Sequence, residues 1–61
     1  MINDLEFAHM HARETRRALG RETKRLGVDS VSEPSHPTVQ LFERAAALEQ
    51  LLDTYKGETN D

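Results

Sequence analysis

Histidine and glutamate side chains are the first candidates for chemistry in this chain. Glu6 and His9 form a Glu-x-x-His pair, the spacing that di-iron carboxylate bundles use. Such a site also needs carboxylates from facing helices, and both residues fall on the polar side of a helical wheel. His9 and His11 point in nearly opposite directions on a helix and cannot chelate one ion, while His36 suits a helix cap better. The sequence therefore predicts no metal site and no cofactor.

Catalytic motifs are also not indicated. No Ser/His/Asp set or other nucleophile–base pair can be assigned, because a chain of 61 residues built from two helices offers no cleft to hold one. The sequence contains no Gly-rich phosphate loop. It has no cysteine, which excludes disulfides and thiolate zinc sites. We therefore expect a protein that is not an enzyme and has no small-molecule substrate.

Basic residues are concentrated in one segment, since six of the eight Lys and Arg lie between positions 13 and 25. Their centre lies roughly 150° from the apolar stripe of the same helix, so the group is expected to point to solvent. Three interpretations stay open: a solvated face, a dock for an acidic protein surface such as Glu49 and Asp53 of a second copy, and a phosphate-backbone site. The net charge of −3 weighs against nucleic acid. This basic stripe consists of Arg13, Arg16, Arg17, Arg21 and Lys24.

The basic stripe is carried by the first of two predicted helices. Asn3 is a favourable N-cap, and Glu6 stands at the position that completes a capping box. Gly27 is expected to end the helix in the left-handed conformation, after basic residues in the last turn.

A linker and a second helix follow. Pro37 fits the first turn of that helix, with Ser35 or His36 as its cap, and Gly57 is expected to close it. The predicted single domain therefore has a helix over about 4–26, a linker over 27–36, a helix over about 37–56 and a frayed tail over 57–61.

Apolar residues recur at heptad spacing in both helices, which is typical of coiled-coil packing. The seam of the first helix is Leu5, Ala8, Ala12, Thr15, Leu19 and Leu26, and that of the second is Leu41, Ala45, Leu48, Leu52 and Tyr55. Two seams joined by a short linker predict an all-α fold, an antiparallel two-helix hairpin. Five apolar residues outside the seams are expected to stay exposed in a monomer: Phe7, Met10, Val39, Phe42 and Ala46.

A chain of this size is marginal alone, because it buries only about 60% of the surface that its unfolded form exposes. Association is the remaining way to stabilise it, as a homodimeric four-helix bundle or on a partner protein. The apolar residues expected in that contact are Leu5, Leu19, Leu41, Phe42, Ala45, Leu48, Leu52 and Tyr55.

The functional prediction is a module for protein–protein interaction: a small regulator, an inhibitor or an assembly subunit. Small acidic helical proteins without cysteine are common among phage-encoded accessory factors, which makes such an origin plausible. The alternative is a hairpin that binds nucleic acid through the basic stripe. No apolar run reaches the ~20 residues of a membrane span, and the first residues do not resemble a secretory signal. We therefore expect no membrane contact and a cytoplasmic location, which for a viral gene means the host cytoplasm or the virion.

Overall fold

The structure is a computed structural model that describes residues 3–59. Within that range the chain forms two α-helices packed against each other, α1 (Asp4–Leu26) and α2 (Pro37–Thr59), and no strand. The two-helix hairpin predicted from the seams is therefore confirmed. No helix in this part of the chain is long and apolar enough to cross a bilayer.

Local signals fix both ends of α1. The Asn3 side chain accepts a hydrogen bond of 2.8 Å from the Glu6 N–H, which satisfies one of the free donors of the first turn. Gly27 ends the helix at φ 72°, in the left-handed region that favours glycine. The N–H groups of Gly27 and Val28 then return to the carbonyls of Lys24 and Thr23, which is a Schellman motif.

Asp29 stabilises the connection between the helices. Its carboxylate accepts hydrogen bonds from the backbone N–H groups of Val31 and Ser32 and from the Ser32 hydroxyl. These bonds lower the pKa of the Asp29 carboxyl, the Ser32 N–H contributing most. The short connection is therefore an ordered turn rather than a free tether.

His36 caps α2, one of the two candidates from the sequence. Its Nδ1 accepts a hydrogen bond from the Thr38 N–H at 3.2 Å, and its carbonyl accepts the first helical bond from Gln40. The predicted end of α2 was wrong: the helix continues through Gly57 to Thr59. Glycine within a helix costs only about 1 kcal/mol relative to alanine and does not by itself end one. The last two positions of the predicted tail, 60 and 61, lie outside the described residues.

The buried contact between the helices is small and differs from the one the seams predict. Val39 is the most buried apolar side chain at 2% exposure, with Ala12 and Ala45 also buried. Phe42 is half-buried over Gly20, where a Cβ would come within 3.2 Å of the ring. The absence of a side chain at Gly20 lets the ring approach α1, and this contact helps set which side of α2 faces α1.

Several predictions of exposure are consequently reversed. Val39, Phe42 and Ala46, expected to be exposed, lie in or beside the contact, whereas Leu41, Leu48 and Tyr55 of the predicted seam are 54%, 52% and 50% exposed. Only Phe7 and Met10 remain exposed as predicted, at 54% and 44%. The helix is thus turned so that much of its leucine seam stays outside the hairpin.

Candidate functional site: two grooves along the hairpin

Two grooves run between the helices, one on each side of the hairpin. The polar groove is lined by charged and amide side chains and by one alanine: His9, Arg13, Arg16, Ala46, Glu49, Gln50 and Asp53. The apolar groove is lined mostly by aliphatic side chains, with one histidine and one arginine at its rim: Ala8, His11, Ala12, Thr15, Leu19, Leu41, Arg44, Ala45 and Leu48. Leu48 and Gln50 are two positions apart on α2 and point to nearly opposite sides of it.

Glu49 bridges the helices in the polar groove. The Nε of Arg16 donates to its Oε1, and the Nε of Arg13 donates to its Oε2 at 3.4 Å. The hydrogen bond from Arg16 lowers the pKa of the Glu49 carboxyl below its ordinary value, and Arg13 adds to the effect. Charge-assisted bonds of this kind are stronger than neutral ones. Glu49 therefore holds α2 in register against α1.

His9 extends the same contact toward the open end of the hairpin. The residue is 6% exposed, and its Nε2 lies 3.6 Å from the Asp53 Oδ1. Its expected place among the solvent-facing residues was wrong, because α2 covers it. Glu6 stays exposed and does not join it. Among residues 3–55, no group of three His, Asp or Glu side chains is arranged to hold a metal ion.

The basic stripe is divided by the polar groove. All five side chains were expected to point to solvent, and Arg16 does not, because it is half-buried against Glu49. Arg13 is exposed as expected but also donates to Glu49. Arg17, Arg21 and Lys24 are exposed and make none of the ion pairs found in the described part of the chain. The sequence also allowed Glu49 and Asp53 to bind the stripe of a second copy, but their partners lie in the same chain.

A further ion pair, near the C-terminal end of α1, joins two residues of the same helix. Arg25 donates to both carboxylate oxygens of Glu22, at 2.9 and 2.5 Å, as the spacing of three residues predicts. The hydrogen bond from Arg25 lowers the pKa of Glu22. This exposed pair lies within one helix and does not contribute to the contact between helices.

Replacing Glu49 is expected to remove part of the acid sensitivity of the hairpin. Because folding lowers the pKa of Glu49, its stabilising effect is fully present above the ordinary glutamate value of 4.5 and is lost as pH falls through the lower folded value. Glu49→Gln should therefore lower the melting temperature at neutral pH and change it less at acid pH, so the slope between the two becomes shallower. Thermal unfolding followed by circular dichroism measures the melting temperature at neutral and at acid pH.

Glu43→Gln is the matched control for this prediction. Glu43 is exposed on the same helix and makes no ion pair with the other described residues. Some acid sensitivity should remain in both variants, since the pKa values of Glu22 and Asp29 are also lowered. Equal slopes for Glu49→Gln and the parent protein would contradict the bridging role of Glu49.

The apolar groove has a different character, because no ion pair closes it. Its floor is Ala12 and Ala45, both buried, and it encloses about 390 Å³. Leu41 and Leu48 stand along its α2 edge with about half of each side chain exposed. At its rim, the centre of the His11 ring lies 4.1 Å from that of Phe7 on the surface of α1.

The predicted apolar site residues are divided among three environments. Ala45 is buried, Leu5, Leu19, Phe42 and Leu52 are half-buried, and Leu41, Leu48 and Tyr55 are exposed. The structure brings Leu19, Leu41, Ala45 and Leu48 together in the apolar groove and directs Phe42 to the contact with Gly20. Five residues of the groove were not predicted as site residues: Ala8, His11, Ala12, Thr15 and Arg44. The heptad spacing of Ala8, Ala12 and Thr15 was the available signal for those three.

No family model, curated protein or solved structure matches this chain. The two grooves and the charges beside them are therefore the features that indicate a function.

Proposed function

We propose that this chain is a protein-interaction module without catalytic activity, which docks its apolar groove against another polypeptide. The observation that carries the proposal is the pair Leu41 and Leu48, 54% and 52% exposed on the same edge of one groove. Single exposed apolar residues are ordinary, but a contiguous apolar surface with a polar rim is typical of interaction sites.

The difference between the two sides of the hairpin supports the same proposal. On the polar side, Glu49 and Asp53 contact side chains of α1, so the charges there have partners within the chain. On the apolar side, covering a large side chain by another protein contributes about 1.5–3 kcal/mol when it goes from exposed to buried. The free energy available for docking is therefore concentrated in the apolar groove.

The nucleic-acid alternative has less support in this geometry. Arg13 and Arg16 already contact Glu49, which leaves three of the five basic-stripe residues for phosphate contacts. Fewer phosphate contacts mean weaker binding, because each contact contributes through the release of counterions. We therefore do not propose nucleic acid as the partner.

Site-specific photo-crosslinking tests the proposed function. A benzophenone amino acid replaces Leu48 in the apolar groove or, as the control, Gln50 in the polar groove of the same helix. The experiment is done in cells of the organism that carries the gene. We expect a discrete polypeptide adduct from position 48 and none from position 50. Adducts of equal yield at both positions, or none at position 48, would count against the proposal.

A further inference from the structure

We propose that the occupant of the apolar groove is a second copy of this chain, related by a two-fold axis parallel to the helices, so that both connecting turns lie at the same end of a four-helix bundle. This inference rests on the proposed function, because it identifies the polypeptide that docks. It also specifies which helix of one copy covers which helix of the other.

The shape of the hairpin is the first argument for a second copy. The molecule measures 41 × 19 × 12 Å, and its smallest dimension matches the ~10–12 Å diameter of one helix with its side chains. The hairpin is thus a single layer, whereas domains are built from at least two packed layers. A second hairpin on the apolar side supplies the missing layer.

The exposed area of the chain also indicates a second copy. The chain exposes 4813 Å², whereas the general scaling for compact monomers gives about 4,000 Å² for a mass of 7.0 kDa. The excess, about 800 Å², equals what one partner contributes to a protein–protein interface of standard size. One further copy is enough to cover it.

Side-chain size selects the arrangement of the two copies. On its exposed edges, the apolar groove has small residues along much of α1, Ala8 and Thr15, and large ones along α2, Leu41 and Leu48. Pairing α1 of one copy with α2 of the other places Leu48 of each copy over small side chains, whereas Leu41 lies toward the end of the groove that carries Leu19. Pairing α1 with α1 would leave a gap there and crowd leucine against leucine on the other pair. Close packing therefore favours α1 against α2.

The register of the hairpin places these side chains at matching heights. The contacts of His9 with Asp53, Arg13 with Glu49 and Gly20 with Phe42 put Leu48 level with position 14 of α1. A two-fold axis parallel to the helices preserves height. Leu48 of each copy therefore meets the other copy between Ala12 and Thr15, where the side chains are small.

Charges at the rim are complementary in the same arrangement. Arg44 is exposed at the α2 edge of the groove and makes no ion pair with the other described residues. The same register puts it level with position 18 of α1, about one turn from Glu14 on one side and Glu22 on the other. Glu22 already accepts two hydrogen bonds from Arg25, so the carboxylate available to Arg44 is Glu14, a contact that adds specificity more than affinity.

Distance measurement between spin labels tests the arrangement. The chain has no cysteine, so Val31→Cys gives one labelling site per copy. Val31 lies in the turn and is 89% exposed. Ser30→Cys, also in the turn, is the second variant. Pulsed electron paramagnetic resonance should give a distance below about 30 Å, because neighbouring helix axes lie only ~8–10 Å apart. Sedimentation should show twice the mass of the chain.

Other results would overturn the inference. A dimer with labels separated by roughly the 41 Å length of the hairpin has its turns at opposite ends and contradicts the axis proposed. A monomer at millimolar concentration contradicts the second copy. In that case an adduct of position 48 with a different protein leaves the proposed function standing, whereas no adduct removes both.

Discussion

Val39→Asp is expected to unfold the hairpin at room temperature. Val39 is 2% exposed and is the most buried apolar side chain between the helices. The substitution loses about 1.5–3 kcal/mol of apolar burial and places an unpaired carboxylate in the contact, at a further cost of several kcal/mol. A domain of this size has a total stability of only about 3–9 kcal/mol. The far-ultraviolet circular dichroism of the variant should therefore lack the helical signal of the parent.

The control for this prediction is the same substitution at an exposed valine. Val31 is 89% exposed in the turn, and Val31→Asp should change the free energy of unfolding by less than about 0.5 kcal/mol. Val39→Ala is the milder test and should cost about 2–3 kcal/mol, for two lost methyl groups and the cavity they leave. Equal helicity in Val39→Asp and Val31→Asp would show that the helices do not pack through Val39.

The helix boundaries that could be predicted are those set by neighbouring residues. Asn3 contacts a backbone group three positions away, and the preference of Gly27 for positive φ depends only on the residue itself. His36 likewise caps the helix that begins one residue later. The C-terminal end of α2 lies at the limit of the described residues, and Gly57 alone was too weak a signal to end the helix.

The rotation of α2 about its own axis could not be predicted from apolar periodicity. The helix carries two apolar stripes about 140° apart, one through Leu41 and Leu48 and the other through Val39 and Phe42, and either could face α1. The first stripe has the longer and more regular heptad spacing, and this spacing predicts the wrong face. The structure turns the second toward α1, since Phe42 fits over Gly20 and Glu49 reaches two arginines only in that orientation.

The residues of the candidate site could likewise be predicted only in part from the sequence. Four of the predicted apolar residues, Leu19, Leu41, Ala45 and Leu48, line the apolar groove, but they were expected largely inside the hairpin. The polar groove was missed because its ion pairs join residues more than thirty positions apart. Such pairs become visible only when the register of the two helices is known. The register follows from a few contacts across the helices and not from any local motif.

Leu48→Glu is expected to separate the proposed dimer into folded monomers. Leu48 is 52% exposed in the hairpin, so the change should leave the helical content of one chain nearly as it is. In the dimer the side chain is buried twice, once for each copy. About half of that side chain is already covered in the hairpin, so losing about 0.8–1.5 kcal/mol at each position weakens the dimer by between about tenfold and a few hundredfold. Sedimentation over a range of concentrations measures the dissociation constant.

Gln50→Glu separates the effect of position from the effect of charge. It adds the same side chain to the same helix but on the polar side, where the proposed dimer makes no contact. The dissociation constant should change by less than tenfold, because exposed charges interact weakly through solvent. Because only the folded dimer buries the apolar groove, the melting temperature of the parent and of Gln50→Glu should rise with protein concentration, while that of Leu48→Glu should not. If both variants dissociate equally, net charge rather than the apolar groove governs association, and the groove is not the contact surface.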